Sequence, residues 1–182
     1  GDQPHIARIT LSGMIVDDFA REEMLALLAE NENAKGLIVR INSPGGTVAG
    51  SEALFDGLRK VSENKPTAAF IGTIGASGGY IAALGTDRIF ARKNALTGSI
   101  GVIFQSPEFS GFFDMVGISV QEVKSSPLKG GPSFYEPMTD GQRAVIKEMI
   151  DDSNAWFVDI VSDRREIERD VATLLADGRV YT

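Results

Sequence analysis

Apolar and polar positions repeat along the chain in two periods, which predict strands and helices in turn. Alternation with a period of two, together with short runs of β-branched residues, is typical of strands. It predicts strands at 6–15, 36–42, 67–71, 88–91, 102–104 and 119–123. Apolar spacings of three and four residues predict helices at 17–30, after 46 to about 61, from 77 onward, at 112–115, 139–168 and 170–175. Strands that alternate with helices indicate an α/β fold of βαβ units around a largely parallel sheet.

Length and the chain ends bear on domain organisation. The 182 residues suit one domain spanning 1–182. Residues 1–4 lead directly into the first predicted strand, and 179–182 have the character of the start of a strand or turn. We therefore expect the chain to be part of a longer protein, truncated at both ends.

Composition excludes several classes of partner and site. The net charge is −7 and no stretch is rich in Lys and Arg, so nucleic acid is not an expected partner. The absence of cysteine excludes disulfides, thiolate metal sites and a thiol nucleophile. No apolar run approaches the roughly 20 residues that span a bilayer. The glycine-rich segments match neither a dinucleotide fingerprint nor a P-loop, so we expect no cofactor and no metal.

Two glycine-rich turns end neighbouring predicted strands. The first is Asn-Ser-Pro-Gly-Gly at 42–46, and the second is Gly-Ala-Ser-Gly-Gly-Tyr at 75–80. Ligands of open α/β sheets bind beyond the carboxyl ends of the strands, where backbone N–H groups are free. Two such turns could direct two N–H groups at one oxyanion, although each turn alone is equally compatible with a simple strand-to-helix connection.

Ser77 begins a predicted helix and is either an N-cap or a nucleophile. A nucleophilic serine needs a base, and the only histidine, His5, precedes the first strand. A Ser-His-Asp triad is therefore not expected. A lysine amine can replace histidine if burial lowers its pKa.

Seven lysines are candidates for this base, and composition alone does not choose among them. They are Lys35, Lys60, Lys65, Lys93, Lys124, Lys129 and Lys147. Lys129 has an unusual setting, because it lies in a loop at 125–137 that is rich in Gly, Pro and Ser and poor in charge. The others flank helices, lie in polar turns or have ordinary surface positions.

The order of three motifs resembles the signal peptide peptidase A family of the Clp protease/crotonase fold superfamily. These motifs are 42–46, 75–80 and Thr-Gly-Ser-Ile-Gly-Val at 97–102, followed by a lysine 52 positions after Ser77. The resemblance covers nearly the whole chain. It implies a Clp protease/crotonase-like fold of repeated ββα and βαβ units, and a serine endopeptidase that hydrolyses hydrophobic peptides such as cleaved signal peptides.

The resemblance also implies a role for each matching residue. Ser77 corresponds to the nucleophile and Lys129 to the general base of a Ser–Lys dyad. Ser99 corresponds to a second serine that orients the lysine amine. The backbone N–H groups of Gly46 and Gly78 correspond to the oxyanion hole. The sequence departs from many relatives where Gly130 follows the lysine, since those relatives carry an acidic residue there.

The family further implies properties of the whole protein. The full-length protein would be anchored in the membrane by a segment outside this chain, with the catalytic domain on the extracytoplasmic side. Some relatives contain two tandem copies of the fold, with serine and lysine in different halves. We therefore expect this half-sized form to assemble into a ring-like homo-oligomer whose sites combine Ser77 of one subunit with Lys129 of its neighbour.

Three alternatives remain open at this stage. A Clp-type peptidase would need a histidine about 25 residues after the serine, where this chain has Val102. A crotonase-type acyl-CoA enzyme would need a catalytic carboxylate and would make no use of Lys129. A catalytically inactive binding module would have no reason to retain both serines and the lysine.

Overall fold

A computed structural model describes residues 3–182 of the chain. The strands are β1 (His5–Ile15), β2 (Ala34–Gly46), β3 (Thr67–Ala76), β4 (Arg88–Ala91), β5 (Leu96–Gly98) and β6 (Val180–Tyr181). The helices are α1 (Phe19–Glu30), α2 (Val48–Ser62), α3 (Gly78–Leu84), α4 (Ser110–Val116), α5 (Asp140–Arg165) and α6 (Arg169–Leu175). The chain forms two compact units: unit 1 contains residues up to 102 and 154–182, and unit 2 contains 103–153. The extent of the domain, 1–182, stays a prediction.

One sheet in unit 1 contains the strands in the order β1-β2-β3-β5-β6, with β4 also paired to β3. All pairs are parallel except β5 with β6. The predicted α/β class with a largely parallel sheet is therefore confirmed. The parallel arrangement brings the carboxyl ends of β1, β2 and β3 to the same edge of the sheet.

Two strands extend further than the hydrophobic pattern predicts. The turn at 42–46 does not break β2, because β1 shifts register and pairs Met14 with Gly45 and Ile15 with Gly46. Strand β3 continues to Ala76 because it changes partners, from β4 to the short β5. Backbone pairing therefore holds both glycine-rich segments as strand, which sequence periodicity does not reveal.

The main core lies between one face of the sheet and helices α1 to α3. Inward residues of the sheet, such as Leu37, Val39 and Ile71, are fully buried there. The apolar residues of α1 predict one buried stripe, formed by Phe19, Met24, Leu25 and Leu28. Leu25 and Leu28 do pack in this core, whereas Phe19 and Met24 are exposed. That part of the predicted stripe is wrong, since α1 packs mainly through residues on the opposite side of its axis.

Other sequence predictions fail where tertiary pairing decides the outcome. No strand forms at 102–104 or 119–123 in the described chain, and side chains such as Ile103 and Val123 are exposed there. β-propensity stabilises a strand only when a neighbouring strand is available. Helix α5 ends at Arg165 rather than near 168, because Glu166 adopts a positive φ of 53°.

Unit 2 is organised around aromatic side chains and a helix start. Phe113 packs edge-on against Phe134 with ring centroids 6.0 Å apart. The backbone N–H of Phe109 donates to the Phe134 carbonyl at 2.7 Å. Thr139 and Gln142 form a reciprocal capping box at the start of α5, with hydrogen bonds of 2.9 and 3.3 Å. The 125–137 segment contains neither helix nor strand, as predicted.

Candidate active site

Ser77 occupies the tight turn between β3 and α3. Its φ is 51° and its ψ is −122°, a conformation that residues other than glycine rarely adopt. The turn is held because the Ser77 N–H donates to the Gly98 carbonyl at 2.8 Å, while the Ser77 carbonyl accepts from Tyr80 and Ile81. A strained serine between a strand and a helix is a feature of nucleophile turns, where it keeps the hydroxyl accessible.

The Ser77 side chain does not cap α3. Ser77 occupies the N-cap position of α3, but its hydroxyl makes no capping hydrogen bond. By contrast, Asp18 and Thr47 cap α1 and α2 through their side chains. The N-cap interpretation of Ser77 therefore lacks the interaction that defines it. Ser77 is half-buried, and its hydroxyl is not engaged in capping.

The two glycine-rich segments touch each other beside Ser77. A Cβ added to Gly45, whose φ is +110°, would lie 2.9 Å from the Ser77 Cβ and 2.8 Å from the Gly78 nitrogen. A Cβ added to Gly78 would lie 3.2 Å from the Gly46 nitrogen. These approaches leave no room for side chains. The predicted oxyanion residues Gly46 and Gly78 are thus adjacent to each other and to the predicted nucleophile.

Ser43 supports this arrangement and was not singled out from the sequence. Its fully buried hydroxyl donates to the Gly13 carbonyl at 2.6 Å and accepts from the Gly45 N–H at 3.1 Å. A Cβ on Gly79 would lie 2.5 Å from the Ser43 carbonyl oxygen. The sequence contained a signal for this role, because position 43 continues the inward alternation of β2. A polar residue at a core position indicates a specific hydrogen bond.

The pairing of β3 with β5 places Ser99 beside Ser77. Strand β5 pairs Gly98 with Ala76, so the residues that follow, Ser99 and Ser77, both leave the sheet at the same edge. Ser99 also has a positive φ, 52°, and its N–H donates to the Arg179 carbonyl at 2.8 Å. Two serines with strained backbones therefore flank the end of β3.

The two candidate bases, His5 and Lys129, lie in different units of the chain. His5 begins β1 at the amino edge of the sheet, and its strand runs roughly 33 Å before reaching the edge where Ser77 lies. Lys129 belongs to unit 2, where its side chain is exposed and its N–H donates to the Ser126 carbonyl at 3.1 Å. Of the five predicted residues, Ser77, Ser99, Gly46 and Gly78 lie in unit 1 and Lys129 lies in unit 2. The role of each of the five stays a prediction.

Other titratable groups add little to the site. Burial raises the pKa of Tyr80, one turn after Ser77 on α3, against the opposing effect of the Arg165 charge. The Tyr80 phenol therefore stays protonated at neutral pH. Among residues 3–182, no group of three or more His, Cys, Asp or Glu side chains could hold a metal ion. None of the helices in that range is both long and apolar enough to cross a membrane.

Comparison with solved structures supports the fold. A ClpP1 mutant from Listeria monocytogenes superimposes with a TM-score of 0.61 over 95% of this chain and 80% of that chain. Its sequence is only 13% identical, so the likeness concerns the fold alone. The Clp protease family profile also matches residues 5–105.

Comparison with sequences identifies relatives among proteases. A candidate protease of Synechocystis is 35% identical over 97% of this chain and 64% of its own length. A candidate signal peptide peptidase of Enterococcus faecium is 30% identical over 97% of this chain and 55% of its own length. Protease 4 of Haemophilus influenzae is 29% identical over 97% of this chain and 30% of its own length. This chain thus spans between about a third and two thirds of these relatives.

The profile of peptidase family S49 matches residues 59–182, which include both Ser77 and Lys129. This match covers more than half of the chain and agrees with the names of the relatives. The sequence resemblance to the signal peptide peptidase family is thereby confirmed, and the chain belongs to peptidase family S49.

Proposed function

We propose that this chain is the catalytic part of a serine endopeptidase with a Ser–Lys dyad. The Ser77 hydroxyl attacks the carbonyl carbon of a peptide bond while the neutral Lys129 amine accepts its proton. The N–H groups of Gly46 and Gly78 stabilise the oxyanion of the tetrahedral intermediate. Lys129 then returns the proton to the leaving amine, and water hydrolyses the acyl-enzyme by the same route. Ser99 orients the lysine amine.

The geometry of Ser77 carries this proposal. A positive φ at a serine costs of order 1–3 kcal/mol and persists only where the surroundings enforce it. Here the Gly98 carbonyl and the close approach of Gly45 enforce it. The hydroxyl does not contribute to capping in return. A reactive hydroxyl beside two glycine backbones accounts for this arrangement better than a structural turn.

The competing functions lack a feature that they need. A Clp-type peptidase would need a histidine, but Val102 stands at the position expected for it and His5 begins the strand at the far edge of the sheet. A crotonase-type acyl-CoA enzyme would use the two glycine N–H groups but would leave Ser77 without a role. The relatives are named as proteases, which favours peptide hydrolysis.

The proposed substrates are hydrophobic peptides with small or apolar side chains next to the cleaved bond. The segments bordering the turns, 74–76 and 100–104, contain no charged residue that could pair with a charged side chain. The name of the Enterococcus relative, signal peptide peptidase, agrees with remnant signal peptides as substrates. A membrane anchor outside this chain and an extracytoplasmic catalytic domain would place the enzyme where such peptides are produced.

The proposed active unit is a homo-oligomer in which Ser77 and Lys129 come from neighbouring subunits. Lys129 lies in an exposed segment of unit 2 that has no helix or strand, and Ser77 lies in unit 1. Mixing inactive Ser77→Ala with inactive Lys129→Ala under conditions of subunit exchange should restore activity. Mixed oligomers that form without regaining activity would show that each site lies within one chain.

The central test measures the nucleophile and the base separately. A fluorophosphonate probe should label the parent chain and Ser12→Ala, which removes an exposed serine, but not Ser77→Ala. Lys129→Ala should abolish hydrolysis of hydrophobic peptides, whereas Lys60→Ala, which removes an exposed lysine on α2, should retain it. Labelling that persists in Ser77→Ala would refute the nucleophile, and full activity of Lys129→Ala would refute the base.

A further inference from the structure

A pocket of about 270 Å³ lies on the face of the sheet that points away from the main core. Its polar lining comes from the outward residues of β1 and β2, the end of β3 and the residue after β4, all in unit 1. These polar residues are Thr10, Ser12, Arg40, Asn42, Thr73 and Arg92. Pockets for drug-sized ligands usually measure about 300–1,000 Å³. This pocket therefore suits a small ion or the charged end of a larger molecule.

The pocket is cationic and has no counter-charge of its own. Arg40 and Arg92 both line it, and within residues 3–182 no acidic residue does. In the same range, neither arginine forms an ion pair. Strands β1 to β4 contain no Asp or Glu, although the chain has 25 acidic residues against 18 basic ones. Two like charges in one pocket repel each other, so a bound anion would remove an unfavourable interaction as well as adding two favourable ones.

Arg92 is held in place by two interactions. Its backbone N–H donates to the Ile71 carbonyl at 3.2 Å, which continues the pairing of β4 with β3. Its guanidinium lies over the Phe70 ring, 5.9 Å from the ring centroid. Phe70 is also the cross-strand partner of Arg40. An arginine that is already positioned by stacking loses less conformational freedom when it binds an anion.

Gly72 leaves space in the pocket wall. It continues the outward alternation of β3 after Phe70, and it lines the pocket without a side chain. A Cβ added there would have only the Ile41 carbonyl oxygen within 4 Å, at 3.8 Å. The φ of Gly72 is not positive, so neither backbone conformation nor close packing requires glycine at this position. The open position provides room for a ligand, and a larger side chain would fill it.

We propose that this pocket binds a phosphate group, carried either by a soluble phosphate or by the headgroup of an anionic lipid. A phosphate monoester has a charge of about −1.5 to −2 at pH 7, which two guanidinium groups match. The planar guanidinium of arginine can bind two phosphate oxygens at once.

The other polar residues of the pocket favour phosphate over a carboxylate. Thr10, Ser12 and Thr73 supply hydroxyl donors, and Asn42 supplies an amide. The oxygens of a phosphate group can accept from several of these donors in addition to the guanidinium groups. A carboxylate has only two oxygens and one charge, so it would leave most of these donors without a partner. The inference concerns ligand binding and does not depend on peptidase activity.

The first test titrates the 182-residue chain with inorganic phosphate in a calorimeter. The parent chain should bind phosphate saturably, and acetate at equal ionic strength should not displace it. Arg40→Gln and Arg92→Gln should each weaken the affinity by about tenfold or more, because each removes charge-assisted hydrogen bonds. Arg88→Gln is the matched control, since it removes the same charge from an exposed arginine of β4 that does not line the pocket. It should bind phosphate like the parent chain.

The second test fills the pocket and keeps both charges. Gly72→Val should abolish saturable phosphate binding, because the added side chain occupies the space for the ligand. Its thermal unfolding midpoint in phosphate-free buffer should not fall below that of the parent chain, since valine favours a strand conformation and meets no close neighbour there.

Vesicles distinguish the two sources of the phosphate group. If a lipid supplies it, the chain should cosediment with phosphatidylcholine vesicles that contain phosphatidic acid, and Arg40→Gln should reduce this binding. If the chain binds inorganic phosphate but not these vesicles, the ligand is a soluble phosphate.

Several results would overturn the proposal. It is excluded if the parent chain binds neither inorganic phosphate nor the phosphatidic acid vesicles, or if acetate displaces phosphate as well as phosphate itself does. Equal losses of binding in Arg88→Gln and Arg92→Gln would show a general effect of charge rather than a pocket. Unchanged binding in Arg40→Gln and in Gly72→Val would place any bound phosphate elsewhere on the chain.

Discussion

Replacing Ser43 with alanine tests whether a buried hydroxyl holds the proposed oxyanion hole in place. Ser43 connects Gly13 on β1 with Gly45 on β2, through hydrogen bonds of 2.6 and 3.1 Å. In Ser43→Ala the Gly45 N–H stays buried and loses its acceptor. The Gly13 carbonyl belongs to an exposed residue and can bind water instead.

The expected loss of stability follows from this asymmetry. One unsatisfied buried N–H costs about 1–3 kcal/mol, whereas the solvated carbonyl costs little. We therefore expect the free energy of unfolding to fall by about 1–3 kcal/mol. For a chain of this size, each kcal/mol corresponds to roughly 2–4 °C in the midpoint of thermal unfolding.

The expected loss of activity is specific to turnover. Removing an oxyanion donor outright lowers kcat about 10²–10³-fold. Ser43 positions Gly45 and Gly46 without donating to the substrate, so we expect a smaller decrease, about tenfold in kcat with KM nearly unchanged. Urea unfolding followed by circular dichroism measures the first effect, and steady-state hydrolysis of a hydrophobic peptide measures the second.

Ser12→Ala is the matched control, because Ser12 is an exposed serine on the neighbouring strand. It should change neither quantity. A Ser43→Ala protein with lower stability but unchanged kcat would show that the hydroxyl is only structural. Unchanged stability would refute the hydrogen-bonding argument itself.

Three further predictions concern pH and the nucleophile turn. Peptidase activity of the parent chain should rise with pH, because only a neutral amine can accept the serine proton, and any residual hydrolysis by Lys129→Ala should show no such rise; a pH profile of the parent chain that falls above neutrality would contradict a lysine base. Burial by itself raises the pKa of Asp87, but hydrogen bonds from Ser62 and Thr67 outweigh it and hold the pKa below its usual value. The stability that the Asp87 carboxylate contributes should therefore be complete above about pH 4 and be lost as the pH falls through its lowered pKa in the folded state. In urea titrations, the free energy of unfolding of Asp87→Asn should fall less on acidification than that of the parent chain. Ser77→Gly should lose activity yet unfold at the same or higher urea concentration, since glycine adopts the positive φ without strain; clear destabilisation would argue against strain at this residue.

Local pattern was sufficient for much of the fold and for part of the site. Alternating and β-branched segments located β1 to β4, because a strand buried on one or both faces needs apolar side chains at fixed intervals. The absence of cysteine excluded a thiol nucleophile in this chain, and the position of His5 ahead of the first strand made a Ser-His-Asp triad unexpected. The order of the glycine motifs, interpreted through the family resemblance, predicts roles for Ser77, Ser99, Gly46 and Gly78, and these four residues lie together at one edge of the sheet.

Tertiary structure alone decided the rest, because long-range pairing and burial are not local properties. The 42–46 segment is strand only because β1 shifts register to meet it, and residues 102–104 are not a strand because none pairs with them. The strained φ of Ser77 depends on a carbonyl 21 positions away, at Gly98. Ser43 became part of the site only when its hydroxyl was seen to connect two strands. The exposure of Phe19 likewise depends on which side of α1 faces the core, and the spacing of apolar residues along the helix does not determine that.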